Sequence, residues 1–386
     1  MILNKSNSFL KKKVVVNSAN LHVGGGVQVA TSFIYELSRL DINDLSISIL
    51  SSNEVFENLK DLETDFSVFH DFSVIDVQGL RSLLPSFSRR LANYDLIFTV
   101  FGPGYFWCTR GVHLTGFAQP WIICPDNEIY KTLSYFKKFK IRLKFNFQSL
   151  FFRRSSKLIV ELEHVKQRLI DKRIAVSEDI FVVHNCLSAI YSELNTWKPI
   201  KPDFFLVHFS IGFIGRDYPH KNTVILPEIK RYLLSKYGLN VDFFVTLNES
   251  EWARKSDHFR TCIRNVGILS IVQCPTFYKK MNAVIFPSLL ECFSATPLEA
   301  LAMEIPLFAS DRNFVRDICG EFAWYFDPTS PESAADLISI YINNYVGRDA
   351  NRLKAAREHA LNFSNARLRA ANYLGIIRET LDENEV

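Results

Sequence analysis

The sequence predicts an α/β protein built from two doubly wound, Rossmann-like domains. Three observations predict it. The chain has 386 residues, more than a single hydrophobic core usually serves. Short runs rich in Val, Ile, Leu and Phe alternate with helical patterns, as in parallel βαβ units. The first run, Lys13–Asn17, leads through Asn20-Leu21-His22-Val23 into Gly24-Gly25-Gly26 and then an amphipathic pattern over 27–40. Strand, glycine turn and helix form the opening βα unit of an open sheet, whose crevices bind ligands.

Composition narrows the class. Apolar residues make up 48%, enough for two cores. Charge or Pro interrupts every apolar run before it reaches membrane-spanning length. Lys11–Lys13 is not followed by the apolar region of a signal peptide, so no leader is read there. Seven cysteines stand at 108, 124, 186, 262, 274, 292 and 319, with no CxxC spacing. An odd, scattered set points to reduced thiols in a cytoplasm and away from structural zinc. A formal charge of +4 does not suggest a nucleic-acid partner.

Along the first half, further strands are expected at 45–50, 73–77, 95–100, 113–117, 157–161 and 180–183. The fourth strand ends in Phe101-Gly102-Pro103-Gly104. His113 lies within the fifth, and Ala118-Gln119-Pro120-Trp121 follows it. Residues 187–203 lack periodicity and carry Pro199 and Pro202, so they read as a linker between domains 1–186 and 204–365. A strand over 204–215 opens the second domain. Others are expected at 241–247, 263–272, 283–286 and 307–310, with a helix at 276–281 between the last two pairs. The chain closes with helical patterns over 331–346 and 348–382.

Two stretches of the second half carry chemistry. The strand before Gly215 ends in Gly215-Arg216-Asp217-Tyr218-Pro219-His220-Lys221, which sets two cations about a turn. Arg216 can fork two phosphate oxygens and Lys221 can act as a point charge, a pattern suited to a diphosphate leaving group. The second stretch, FPSLLECFSATPLEALAMEIP over 286–306, places Glu291 and Glu299 on either side of a helix start. Thr296 suits the N-cap, Pro297 the first helical position and Glu299 the third residue of a capping box. Unpaired N–H groups at a helix start attract a phosphate, and carboxylates accept hydrogen bonds from sugar hydroxyls. The set suits a sugar–diphosphate–nucleoside.

Pro287, Ser288, Glu291, Glu299 and Ala300 together resemble the signature of glycosyltransferase family four, retaining enzymes of the GT-B fold. Arg216 and Lys221 stand where that family has its Arg and Lys, and Arg316–Pro328 also follows the family segment, with Asp317 where Glu is usual. The resemblance implies two Rossmann-like domains facing a cleft, with residues 366–386 returning to the first. It implies catalytic roles for Arg216, Lys221 and Glu291. Donor contacts would come from Gly25, Gly26, Gly215, Arg216, Lys221, Glu291, Cys292, Phe293, Ser294, Ala295, Thr296 and Glu299, with Glu291 on the sugar and Glu299 on the ribose. Gly24, His113 and Gln119 would face the acceptor. The family has glycines where Cys292, Ser294 and Glu304 stand, and a Pro-Asn-Gly where His184-Asn185-Cys186 stands.

No D-x-D pair occurs, so no metal bridge through that motif is expected, and the nucleotide sugar is a co-substrate rather than a cofactor. The expected activity is hexosyl transfer from GDP-mannose or a UDP-hexose to a glycan, lipid-linked, in bacterial surface polysaccharide synthesis. A non-hydrolysing sugar-nucleotide epimerase and a non-catalytic partner of a transferase remain as alternatives. Residues 131–157 carry nine Lys or Arg, no acidic residue and seven Phe or Tyr. As a helix, Phe136, Phe139, Leu143, Phe147 and Leu150 line one stripe; residues 139–147 also alternate like a strand. The segment predicts contact with an anionic membrane, on the cytoplasmic face.

Overall fold

The computed structural model describes residues 11–78, 83–105, 109–201 and 206–385. The chain divides into two compact units. The first comprises Met1–Ala118, Arg142–His184 and Ala366–Val386; the second comprises Gln119–Ile141 and Asn185–Asn365. Two sequence-based boundaries therefore shift. Residues 119–141 group with the second unit, not the first. Residues 187–203 are not a free linker, because Lys198 N–H donates to Val272 O at 2.9 Å and Thr276 Oγ1 donates to Lys198 O at 2.8 Å.

The first unit holds seven parallel strands: β1 (Lys12–Ser18), β2 (Leu45–Ser51), β3 (Asp71–Val74), β4 (Leu96–Thr99), β5 (Val112–Gly116), β6 (Lys157–Val160) and β7 (Ile180–Val182). Their order is β3-β2-β1-β4-β5-β6-β7. Val14, Val15 and Val16 of β1 are all fully buried, since helices cover both faces of a parallel sheet. Burying three valines contributes roughly 5–9 kcal/mol before entropy. On one face lies the helix Gly25–Leu37, with Val29, Phe33 and Leu37 inward. Beside it lies the C-terminal helix Ala366–Asp382. Phe33, Phe98 and Tyr373 meet edge to face, with centroids 5.1–5.5 Å apart, and bind that helix to the sheet. Arg378 adds a two-pronged contact to Asp44.

The second unit holds six parallel strands: β8 (Phe209–Phe213), β9 (Val241–Val245), β10 (Arg264–Asn265), β11 (Ala283–Phe286), β12 (Leu307–Ser310) and β13 (Trp324–Phe326), in the order β10-β9-β8-β11-β12-β13. The strand expected over 263–272 is only two residues long. Gly267, at φ 85°, turns the chain away, and the 3-10 turn Ile271–Gln273 follows. The strand expected over 204–215 starts at Phe209; Phe204 and Phe205 lie outside the described residues. The single helix expected over 348–382 is two, Ala350–Phe363 and Ala366–Asp382, because Ser364 is extended at φ −172° and ψ 166°. Residues 135–152 form one helix, so the strand-like alternation there is not realised.

In each sheet the strand order reverses once, between β1 and β4 and between β8 and β11. Ligands of doubly wound sheets bind outside the C-terminal strand ends at that point. The Gly24–Gly26 turn follows β1. The Arg216–Lys221 turn follows β8, and the Glu291 loop follows β11. No described helix is long and apolar enough to cross a membrane.

Candidate functional site

The turn after β8 is built around two ion pairs, Arg216–Glu251 and Lys255–Asp217. Gly215 sits at φ 152° and its N–H donates to Thr246 Oγ1 at 3.2 Å. Arg216 Nε donates to Glu251 Oε1 at 2.7 Å. Glu251 is 4% exposed, while the Arg216 side chain remains 51% exposed, so the carboxylate anchors one edge of a guanidinium that reaches solvent. The same carboxylate accepts from the N–H groups of Asp217 and Asn248, and closes a capping box at the helix Glu249–Ala253. Those donors hold Glu251 below the usual carboxylate range, against its burial. Behind the turn, Lys255 Nζ reaches Asp217 Oδ1 at 2.6 Å and Thr223 Oγ1 at 2.7 Å.

Lys221 joins this turn to the loop after β11. Its Nζ lies 2.6 Å from Glu291 Oε1, with both side chains largely buried, and 5.2 Å from the Phe286 ring centroid. The backbone repeats the join: Leu289 N–H donates to His220 O at 2.7 Å. Ser288 Oγ lies 3.1 Å from that carbonyl and 2.9 Å from Glu291 Oε1, and its one proton serves either. His220 Nε2 stands 3.8 Å from Glu291. Burial holds this imidazole below its ordinary range, with Lys221 assisting and Glu291 opposing, so it is neutral at neutral pH.

The helix after Glu291 runs Ala295–Ala302, two positions earlier than the capping pattern implies. Ser294 is the N-cap and makes no side-chain cap bond, so Thr296 is the second helical residue and no capping box forms. Glu299 is therefore released from the cap. Its Oε2 accepts the Tyr278 hydroxyl at 2.8 Å, and the Tyr191 phenol is close enough to act on its ionisation. Cys292 and Ser294 are buried; Phe293, Ala295 and Thr296 are partly so. Glu304 adopts φ 54°, a left-handed conformation that glycine takes at less cost, which gives a physical reason for glycine at the corresponding family position.

In the first unit, Gly24 caps the helix Gly25–Leu37 at φ 72° and ψ −154°, a region open essentially to glycine alone. A Cβ on Gly26 would sit 3.3 Å from Leu21. Just upstream, His22 Nδ1 lies 3.2 Å from Glu54 and 3.6 Å from Asp76, while Nε2 meets Val77 O at 3.1 Å. His113 is mostly enclosed on β5, bonded to Thr109, and burial pushes it down to about 4, so it is neutral. Gln119 is the N-cap of the short helix Pro120–Ile123 and clusters with the second unit.

The second unit thus brings Gly215, Arg216, Lys221, Glu291, Cys292–Thr296 and Glu299 to the ends of two adjacent strands. Sequence reading missed Glu251, Tyr191 and Tyr278. The Asn248-x-x-Glu251 spacing signals a cap, but nothing in it points to Arg216. The tyrosines belong to no motif.

Two parallel sheets of this order define a GT-B protein, a double Rossmann-like architecture. Residues 209–359 match the family Glycosyl transferases group 1. Among curated relatives, the O-antigen chain mannosyltransferase RfbU of Salmonella typhimurium is 25% identical over 52% of this chain and 60% of its own length. The capsular polysaccharide biosynthesis glycosyltransferase CapM of Staphylococcus aureus is 29% identical over 36% of this chain and 37% of its own. The matches thus span less than two thirds of either relative. A glycosyltransferase structure from Rickettsia africae superposes with a TM-score of 0.70 at 18% identity, covering 96% of this chain and 99% of that one. Anabaena HepE in complex with UDP-glucose gives 0.64 at 15%, covering 96% and 99%.

Enclosure raises the pKa of Glu299, although the two phenols and Lys221 pull it down. The folded state therefore holds this proton more tightly than the unfolded chain. Stability from this group falls as pH rises from the ordinary glutamate value through the raised one, and the cost is complete above it. Glu299→Gln, which keeps an acceptor for the tyrosines, should melt above the parent at pH 8 and lose that limb. Thermal unfolding from pH 4 to 8 checks this; an unchanged pH dependence would contradict it.

Proposed function

We propose that the protein transfers a hexosyl group, with retention of anomeric configuration, from GDP-mannose or a UDP-hexose to a lipid-linked glycan during synthesis of a bacterial surface polysaccharide. The observation that carries this reading is the meeting of Lys221, Glu291 and the Glu299 helix at the switch point of the second sheet. The activities of RfbU and CapM and the UDP-glucose held by HepE support it.

Each residue has a part. Arg216, oriented by Glu251, and Lys221 neutralise charge on the departing nucleoside diphosphate, with the N–H groups at the Ala295 helix start. Glu291 accepts from sugar hydroxyls, and Glu299 accepts from the ribose. The bond from the anomeric carbon to phosphate breaks with its electron pair going to oxygen. The acceptor hydroxyl bonds to the same face, and its proton passes to that phosphate oxygen. No side-chain nucleophile and no cofactor is assigned, the nucleotide sugar being a co-substrate. Gly24–Gly26 and His113 of the first unit, and Gln119 of the segment that clusters with the second, are assigned to the acceptor and diphosphate.

Arg216→Ala and Lys221→Ala should each lower kcat about 10²–10³-fold with the fold retained, the effect of losing one donor to a developing anion. Glu251→Gln, which can still cap its helix, should follow Arg216→Ala at smaller size. Nucleoside diphosphate release with a panel of donors and glycan acceptors measures this. Wild-type turnover in both alanine variants would remove the site from consideration.

We propose further that the enzyme sits peripherally on the inner face of the cytoplasmic membrane through residues 131–157. In the helix Tyr135–Phe152, only Gln148, Phe151 and Phe152 are buried. Phe136, Phe139, Leu143 and Leu150 are 81, 63, 60 and 56% exposed. Lys137, Lys138, Lys140, Arg142 and Lys144 flank this stripe, and residues 129–160 contain no Asp or Glu. An apolar face ringed by cations matches an anionic leaflet, each cation contributing about 1 kcal/mol. Co-sedimentation with anionic liposomes should be strong at low salt and fade at high salt. Protein left in the supernatant at low salt would end the membrane reading.

A further inference from the structure

Glu299 is the site carboxylate for which the chain has built an enclosure. Tyr278 comes from the helix Cys274–Lys280 and Tyr191 from the 3-10 turn Ala189–Tyr191. Their rings are buried, with centroids 6.0 Å apart; the Tyr278 hydroxyl donates to the Glu299 carboxylate at 2.8 Å, and the Tyr191 phenol stands beside that carboxylate. Tyr191 is held there by its own segment: Trp197 Nε1 donates to Ile190 O at 2.7 Å, and Lys279 Nζ lies over the Trp197 ring at 4.6 Å. Phenylalanine would fill both places equally well. A buried hydroxyl is costly unless bonded, so the two hydroxyls need Glu299 as much as it needs them.

We propose that Tyr191 and Tyr278 are positioning residues that orient Glu299 as the acceptor for the donor's ribose hydroxyls. This rests on the donor-binding reading above. An ionised carboxylate offers about four lone-pair sites and no donor. Two phenols fix its plane and leave acceptor capacity for a cis-diol. A protonated carboxyl would turn one oxygen into a donor and spoil that match. The groups facing Glu299 are the two phenols, the Lys221 ammonium and the Cys274 thiol, which burial pushes up to about 12. Of these only the phenols and Lys221 oppose the enclosure that favours the neutral acid. Without the phenols, protonation of Glu299 must move to higher pH, and nucleotide affinity must follow.

The test is calorimetric titration of UDP and GDP, with their 2′-deoxy counterparts, into the full chain from pH 5.5 to 8.5. The variants are Tyr278→Phe, Tyr191→Phe, the double variant and Glu299→Gln. Each single Phe variant should bind the preferred ribonucleotide about tenfold more weakly at pH 7, the loss expected when one hydrogen bond to a charged group is removed. Affinity should recover as pH rises, and preference for ribose over deoxyribose should shrink. Glu299→Gln should bind weakly at every pH. The proposal is overturned if the Phe variants keep wild-type affinity, pH profile and ribose preference while Glu299→Gln is weak. If Glu299→Gln binds as tightly as wild type, the assignment of Glu299 to the nucleotide fails, and the proposal with it.

Discussion

The 2.6 Å contact between Lys221 and Glu291 is where the second unit becomes a site. It joins two turns seventy residues apart in sequence, and it depends on β8 and β11 being neighbours in the sheet. That adjacency follows from the reversal of strand order, which leaves the two strand ends without a crossover helix between them. Backbone bonds from Leu289 to His220 reinforce the same join. The charges are therefore placed by fold, and the side chains only complete what the main chain has aligned.

A buried carboxylate is the cost of this arrangement. Glu299 stands in an enclosure that favours its neutral form, and two phenols and an ammonium offset part of the penalty. Glu251 is the opposite case: three donors satisfy it fully, so it is ionised and inert, and it serves to direct Arg216. The two glutamates thus differ in chemistry because their donors and their enclosure differ. Protein sites commonly keep such local instability where ligands bind.

Much of this was legible in the sequence. Runs such as Val14–Val16 and Val284–Phe286 read as strands because burial on both faces requires continuous apolar residues. The Arg216, Lys221, Glu291 and Glu299 set was singled out by the family resemblance, with a basic turn and a helix start as its physical reason. What spacing misjudged was local geometry. Thr296 had the side chain of an N-cap, yet the helix begins at Ala295, and Glu299 turns to the tyrosines instead of the cap. Within 187–203, the described residues 187–201 include the short 3-10 turns Ala189–Tyr191 and Leu194–Thr196, which leave no helical or strand periodicity to read; Tyr191 lies among them. The Ser364 break between the last two helices carries no Pro or Gly to announce it. Glu251 and the tyrosines were invisible because their partners are fixed by tertiary contact alone.

The central claim is that the second unit is built to hold a nucleoside diphosphate sugar. Thermal unfolding of the intact chain with GDP-, UDP- and TDP-sugars tests it most directly, since a ligand that binds only the folded state stabilises it by about 2.7 kcal/mol at a hundred times its Kd. The account predicts that sugars of one nucleotide raise the Tm by several degrees and that Lys221→Ala abolishes the rise. No shift with any nucleotide sugar at millimolar concentration would contradict it.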